Sequence, residues 1–243
     1  MRIRHCAILI LIALSSACSS AQGGAKQSAG QSVPVETFAG KAEDLLAAAP
    51  ARWSQFPAKR VGLNRTPPLF DTDEPSTPEL SIVEVRAARA AGRLVVQLSW
   101  RDATNDAAVL PKPPDTPPET RFRKVPTEAD DRFFDAAAIM FPGKHQTSTA
   151  APSLQMGDAE DPVEIYYWNS ARGAMLMQAQ GRGTTRRTGQ GFPASGNYDR
   201  GQWTVTFELP DLPAGTPVAF AVWNGSQKDR DGRKYFSVWQ VLE

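Results

Sequence analysis

The chain has 243 residues, a formal net charge of +1 and two cysteines. Losing Arg2 and Arg4 with an N-terminal leader takes that charge to about −1, and no dense basic stripe is present, which excludes nucleic acid as a partner. Cys6 lies in the leader and leaves at most Cys18, so neither an intrachain disulfide nor an iron–sulfur cluster is available. About 200 residues remain, enough for one hydrophobic core.

Arg2, Arg4 and His5 form a positive start, Ala7 to Leu14 a short apolar run, and Ser15-Ser-Ala-Cys18 a small-residue cleavage zone. This is the pattern of a secretory signal whose apolar part is too short to span a bilayer. Cleavage before Cys18 leads to lipidation, and cleavage after Ala21 to a soluble protein. The Gly/Ser/Gln-rich run from Ser19 to Ser32 reads as a flexible tether and favours Cys18, although Ser15 replaces the usual aliphatic residue three positions before such a cysteine. The expected organisation is a signal segment over 1–21, a tether and short helix over 22–50, and a folded domain over 51–243. The expected location is the periplasm, with a lipid anchor at Cys18.

Gly40 to Ala51 predicts a short helix stopped by Pro50. Strands follow: Leu80 to Ala90 and Arg93 to Trp100 as a hairpin around Gly92, Phe133 to Phe141 ending at Pro142-Gly143, Val163 to Trp168, and Gly173 to Gln180. Trp203, Val205, Phe207 and Leu209 alternate with Thr204, Thr206 and Glu208, a period of two that predicts one buried face. Val218 to Trp223 and Tyr235 to Leu242 complete about eight strands. With so little helix the fold class is all-β, an antiparallel β-sandwich or open barrel. Arg101 to Asp131, long and rich in proline and charge, reads as a binding loop or partner contact.

Catalytic residues are not found. His145 is the one histidine after the leader and follows Pro142-Gly-Lys in a turn, as a lone surface histidine does. There is no Gly-x-Ser-x-Gly elbow, phosphate-cradling loop or His-Glu-x-x-His. Arg182, Arg186 and Arg187 lie in a Gly/Thr-rich stretch that reads as a solvated loop, and Asp135 is an odd carboxylate on an apolar strand. Met156 stands out. It sits between a Pro/Ser stretch and Gly157-Asp158, outside any periodic strand, where a core-filling methionine is not expected. Its thioether is a competent neutral ligand for iron, and Gly157 lets backbone approach a flat group closely. Near the other end, Ala219 to Trp239 reads as two apolar strands around a polar turn carrying Lys228 and Lys234.

Together, Gln155-Met-Gly-Asp158, Pro162-Val-Glu-Ile-Tyr-Tyr-Trp168, Trp100-Arg-Asp-Ala-Thr104, Asp135-Ala-Ala-Ala-Ile-Met-Phe-Pro142 and the final hairpin resemble the haem b (gamma) subunits of periplasmic molybdenum oxidoreductases. That family includes the gamma subunits of ethylbenzene dehydrogenase, dimethylsulfide dehydrogenase and selenate and chlorate reductases. The resemblance spans roughly Trp53 to Leu242. It implies an electron-transfer subunit, not an enzyme in itself, with one haem b in a pocket of the β-sandwich domain. The axial ligands it implies are Met156 and a lysine of the final turn or strand. Lys234, beside a strand, is favoured over the alternative Lys228 at the turn. Such a lysine must lose its proton, which burial and the metal's charge both promote. The implied partners are iron–sulfur and molybdopterin subunits, or a c-type cytochrome. Asn224 departs from the acidic residue expected after Val-Trp, and Pro111 to Pro126 is an unfamiliar insert. The competing reading is a haem-free β-sandwich module binding carbohydrate or a small apolar ligand through some of its six tryptophans.

Overall fold

The computed structural model describes residues 32–67, 80–107, 133–143, 150–189 and 191–243. In chain order the first half carries β1 (Ser32–Val33), β2 (Val35–Phe38), α1 (Ala42–Leu46), α2 (Pro50–Trp53), β3 (Lys59–Gly62), β4 (Asn64–Arg65), β5 (Ile82–Ala90) and β6 (Arg93–Arg101). The second carries β7 (Ala136–Pro142), β8 (Val163–Asn169), β9 (Gly173–Ala179), β10 (Arg186–Arg187), β11 (Ala194–Asp199), β12 (Gln202–Pro210), β13 (Pro217–Trp223), β14 (Tyr235–Phe236) and β15 (Gln240–Leu242). No helix among the described residues is long and apolar enough to cross a membrane.

The strands form two sheets packed face to face, the sandwich expected from the sequence. One runs β1-β15-β13-β7-β8-β9-β10 with β14 and β4 attached at β13, and the other β11-β12-β6-β5-β2 with β3 beside β5. Pairing is antiparallel except for two short N-terminal strands, β1 on β15 and β2 on β5. The fifteen strands among the described residues exceed the expected eight because short edge strands such as β3, β10 and β11 carry little apolar periodicity. Glycine in β11 has a tertiary cause: a Cβ on Gly196 would run into the ring of Trp168 on the facing sheet.

Several boundaries differ from expectation. Pro50 opens a helix rather than only stopping one, which suits a residue whose missing N–H would be unpaired in a first turn anyway. The last strand is broken into β14 and β15 at Ser237, which exchanges hydrogen bonds with Phe220 through its backbone N–H and its Oγ, both at 2.9 Å. On β12 the alternation holds for Trp203, Val205, Phe207 and Leu209, but Thr206 and Glu208 are buried too, so both faces are covered at that end.

The inter-sheet core sets Ile139, Phe141, Trp168, Phe220 and Val222 against Leu98, Trp100, Trp203, Val205 and Phe207. Trp203 is its centre, edge-on to Trp168 at 5.3 Å and stacked with Trp100 at 6.2 Å. Each sheet also buries its outer face. Leu45, Trp53 and Phe56 from the helical segment cover Ala88, Ala90 and Val95 on the smaller sheet. On the larger sheet the outer face carries a second apolar cluster around Trp223 and Trp239.

Candidate functional site

That outer face is laid out by register. Residues directly opposite each other on neighbouring strands project to the same side. One row runs Phe236, Ala221, Ala138, Tyr167, Met175. The next runs Ala219, Met140, Ile165, Met177, and Trp223 stands opposite Ala136 at the end of β13. Four alanines, Ala136, Ala138, Ala219 and Ala221, therefore form a floor of short side chains, bordered by Trp223, Tyr167, Phe236 and the methionines. Trp223 and Tyr167 meet edge to face at 5.2 Å. Strands apolar on both faces lose the simple alternation, which is why this floor is hidden in the sequence.

Met156 is carried over the floor by the segment before β8. The Trp239 indole N–H donates to the Pro152 carbonyl at 2.8 Å, and Gly157 N–H donates to Ser153 at 2.8 Å, which fold the segment into a turn. Met156 itself holds a left-handed backbone with φ 76, uncommon for a residue with a side chain, and Gly157 follows at φ 69. A Cβ on Gly157 would lie 2.5 Å from the Asp161 carbonyl oxygen, so glycine is required both for conformation and for space.

Lys234 stands immediately before β14. Its carbonyl accepts both the backbone N–H and the hydroxyl of Thr66, at 2.9 and 3.0 Å. Around it, Arg65 donates to Gln227 at 2.9 Å and pairs with buried Asp229 at 3.0 Å, while the Tyr235 hydroxyl donates to Gln227 at 2.6 Å. Asp229 also accepts the Asn224 N–H at 3.1 Å. The sequence holds no periodic signal for this network, because it is closed by Arg65, more than 160 residues away.

The two chains of support converge. Lys234 Nζ donates to Met156 Sδ at 3.4 Å and lies 5.3 Å from the centre of the Trp223 ring. Burial pulls the Lys234 ammonium down from its ordinary 10.5 to about 8, and the Arg182 guanidinium acts in the same direction. A neutral thioether and an amine on the way to neutrality thus meet at one point above a floor of alanines. Lys228 is exposed, in left-handed conformation at the end of the 3-10 turn Gly225–Gln227, and none of its contacts among the described residues reaches Met156 or Trp223. Cys18, His145 and most of the Arg101 to Asp131 segment lie outside the described residues.

This donor set and floor fit a haem. Both donors are neutral or readily made so, and the cluster packed around them is apolar. The tryptophans do not fit the carbohydrate alternative: all six are between 1% and 9% exposed and form no open aromatic platform. Asp135 is fully buried and accepts Asp106 N–H, Gly225 N–H and the Trp203 indole, a structural anchor rather than a reactive acid.

Known proteins share this chain's sequence over most of its length. A protein of Haloferax mediterranei described as a respiratory nitrate reductase heme subunit is 29% identical, covering 96% of this chain and 78% of the relative. The dimethylsulfide dehydrogenase gamma subunit of Rhodovulum sulfidophilum is 31% identical, covering 76% of this chain and 70% of the relative. The chlorate reductase gamma subunit of Ideonella dechloratans is 26% identical over 96% of this chain and 95% of its own. Residues 50–208 match the ethylbenzene dehydrogenase family, and on that match the chain belongs to this family, with the gamma and haem subunits of type II dimethyl sulfoxide reductase relatives.

Proposed function

We propose that this protein is a haem b electron-transfer subunit that relays electrons for a periplasmic molybdopterin oxidoreductase, with Met156 and Lys234 as the axial ligands of one haem. The observation that carries this reading is the convergence of Lys234 Nζ and Met156 Sδ at 3.4 Å, from segments 78 residues apart. Haem supplies a one-electron carrier. The residues of this chain hold and tune it. The Met156 thioether favours the reduced state and so a higher potential. The two Thr66 contacts fix the lysine backbone beside the Arg65–Asp229 pair, and burial favours the unprotonated amine that can bind iron. The apolar floor of Ala138 and Ala221 keeps water from the site.

The names of the relatives, a heme subunit and two gamma subunits of oxidoreductases, support a subunit role in place of chemistry on a substrate. The matching partners are an iron–sulfur subunit and a molybdopterin subunit, or a c-type cytochrome. Protein purified from a haem-sufficient host is expected to be red, with a Soret band that shifts on reduction by dithionite. A folded but colourless product from that host, unable to take up added haem, overturns the reading.

A further inference from the structure

Of the three arginines between β9 and β11, two have partners. Arg186 donates to Gln178 Oε1 at 3.2 Å and Arg187 Nε donates to the Gly189 carbonyl at 3.1 Å. Arg182 has neither a hydrogen bond nor an ion pair with any described residue, and it is exposed. Its backbone is nonetheless well fixed. Gly181 N–H donates to the Met156 carbonyl at 2.8 Å, tying the turn directly to the residue above the alanine floor. Thr184 closes the same turn, donating to the Gly181 carbonyl through its hydroxyl at 2.7 Å and accepting Gln180 N–H at 2.8 Å. Gly181 (φ 111) and Gly183 (φ 78) flank Arg182 in conformations that side-chain-bearing residues seldom adopt, so the arginine is held at the corner.

Arg182 thus stands one residue from the hydrogen bond that ties this turn to Met156. A guanidinium with all its donors unused, carried on a turn fixed to Met156, is placed to meet an anionic group at the edge of that site. Haem b is amphipathic: an apolar ring with two carboxylates on one edge. A guanidinium recognises a carboxylate through paired charge-assisted hydrogen bonds.

Resting on the haem reading above, we propose that Arg182 is the positioning residue for a haem propionate, setting which way round the macrocycle enters the slot beside Met156. This arginine carries no axial bond, so its loss leaves the coordination untouched and weakens only the hold on the carboxylate edge.

The test titrates the purified haem-free protein, and its Arg182→Gln variant, with haem b and with haem dimethyl ester, whose propionates are uncharged. The wild type is expected to prefer haem b. Arg182→Gln is expected to bind haem b roughly three- to tenfold more weakly, to bind the ester as the wild type does, and to keep the wild-type Soret and visible bands. Unchanged haem b affinity in the variant overturns the assignment, and so does equal weakening for haem b and ester. Failure of the wild type to bind either compound overturns the haem reading along with it, an outcome distinct from the first two.

Discussion

The indole N–H of Trp203 on β12 donates across the sandwich to Oδ2 of Asp135, at 2.8 Å, just before β7 begins. The same carboxylate accepts Asp106 N–H at 2.8 Å and Gly225 N–H at 2.9 Å, so one buried side chain ties together both sheets and the turn that leads to Lys234. Burial raises its pKa, and these three donors work against that rise. Asp135→Ala leaves two buried donors and one half-buried donor unpaired and is expected to cost about 3 kcal/mol or more in urea unfolding. A loss under about 1 kcal/mol would show that the contacts are interchangeable with water.

Axial ligation is tested by substitution with spectroscopy. Met156→Ala is expected to convert the haem to a five-coordinate or high-spin form with a lower potential while the sandwich persists. Lys234→Ala is expected to change the spectrum as well, and Lys228→Ala and His145→Ala to leave it near wild type. A spectrum altered by Lys228→Ala but not by Lys234→Ala moves the ligand into the turn.

Gly157→Ala forces a Cβ against the Asp161 carbonyl at a left-handed φ of 69. The expected cost is roughly 1–3 kcal/mol of strain, which displaces the adjoining Met156. Haem content per folded protein, measured beside the thermal midpoint, should fall. Full loading would mean that the turn absorbs the strain without moving the sulfur.

Asp102 gives a pH signature. Burial, then the nearby Asp135 charge, raise its pKa from 3.8 to about 6, and its Oδ2 has no partner among the described residues. Between those two values the folded state binds more protons than the unfolded state, so this group adds stability as pH falls from above 6 towards 4 and carries a penalty at neutral pH. Asp102→Asn, which keeps an oxygen for the Thr104 contacts, is expected to be about 1–2 kcal/mol more stable than wild type at pH 7.5. That advantage should fade towards pH 4. A difference that is constant with pH rules out the titration as its cause.

We propose that the N-terminal segment directs export and that Cys18 carries the lipid anchor. Cys18→Ala is expected to move the protein from the membrane fraction to the soluble periplasm, since the lipoprotein route adds more than one acyl chain. A wild type already soluble there means cleavage after Ala21.

Much of the larger architecture is local in origin, and so legible before any coordinates. The β5–β6 hairpin follows from apolar runs around Gly92, and β12 from Trp203, Val205, Phe207 and Leu209, because a pleated strand with one face in the core writes a period of two into its side chains. Met156 was conspicuous because a methionine outside any periodic element is not a core filler. Other features depended on tertiary pairing. The alanine floor is a property of register between β13, β7 and β8, not of any one strand. Gly196 in β11 is explained only by Trp168 on the facing sheet. The sequence presented two lysines six residues apart with nothing local to separate them in burial. Folding exposes Lys228 at the end of a turn, while Arg65 and Thr66, from a distant strand, hold the backbone that directs Lys234 to the Met156 sulfur. Periodicity reports which side of a strand is wet. It carries no information about which distant segment closes over that side, and here that closure makes the site.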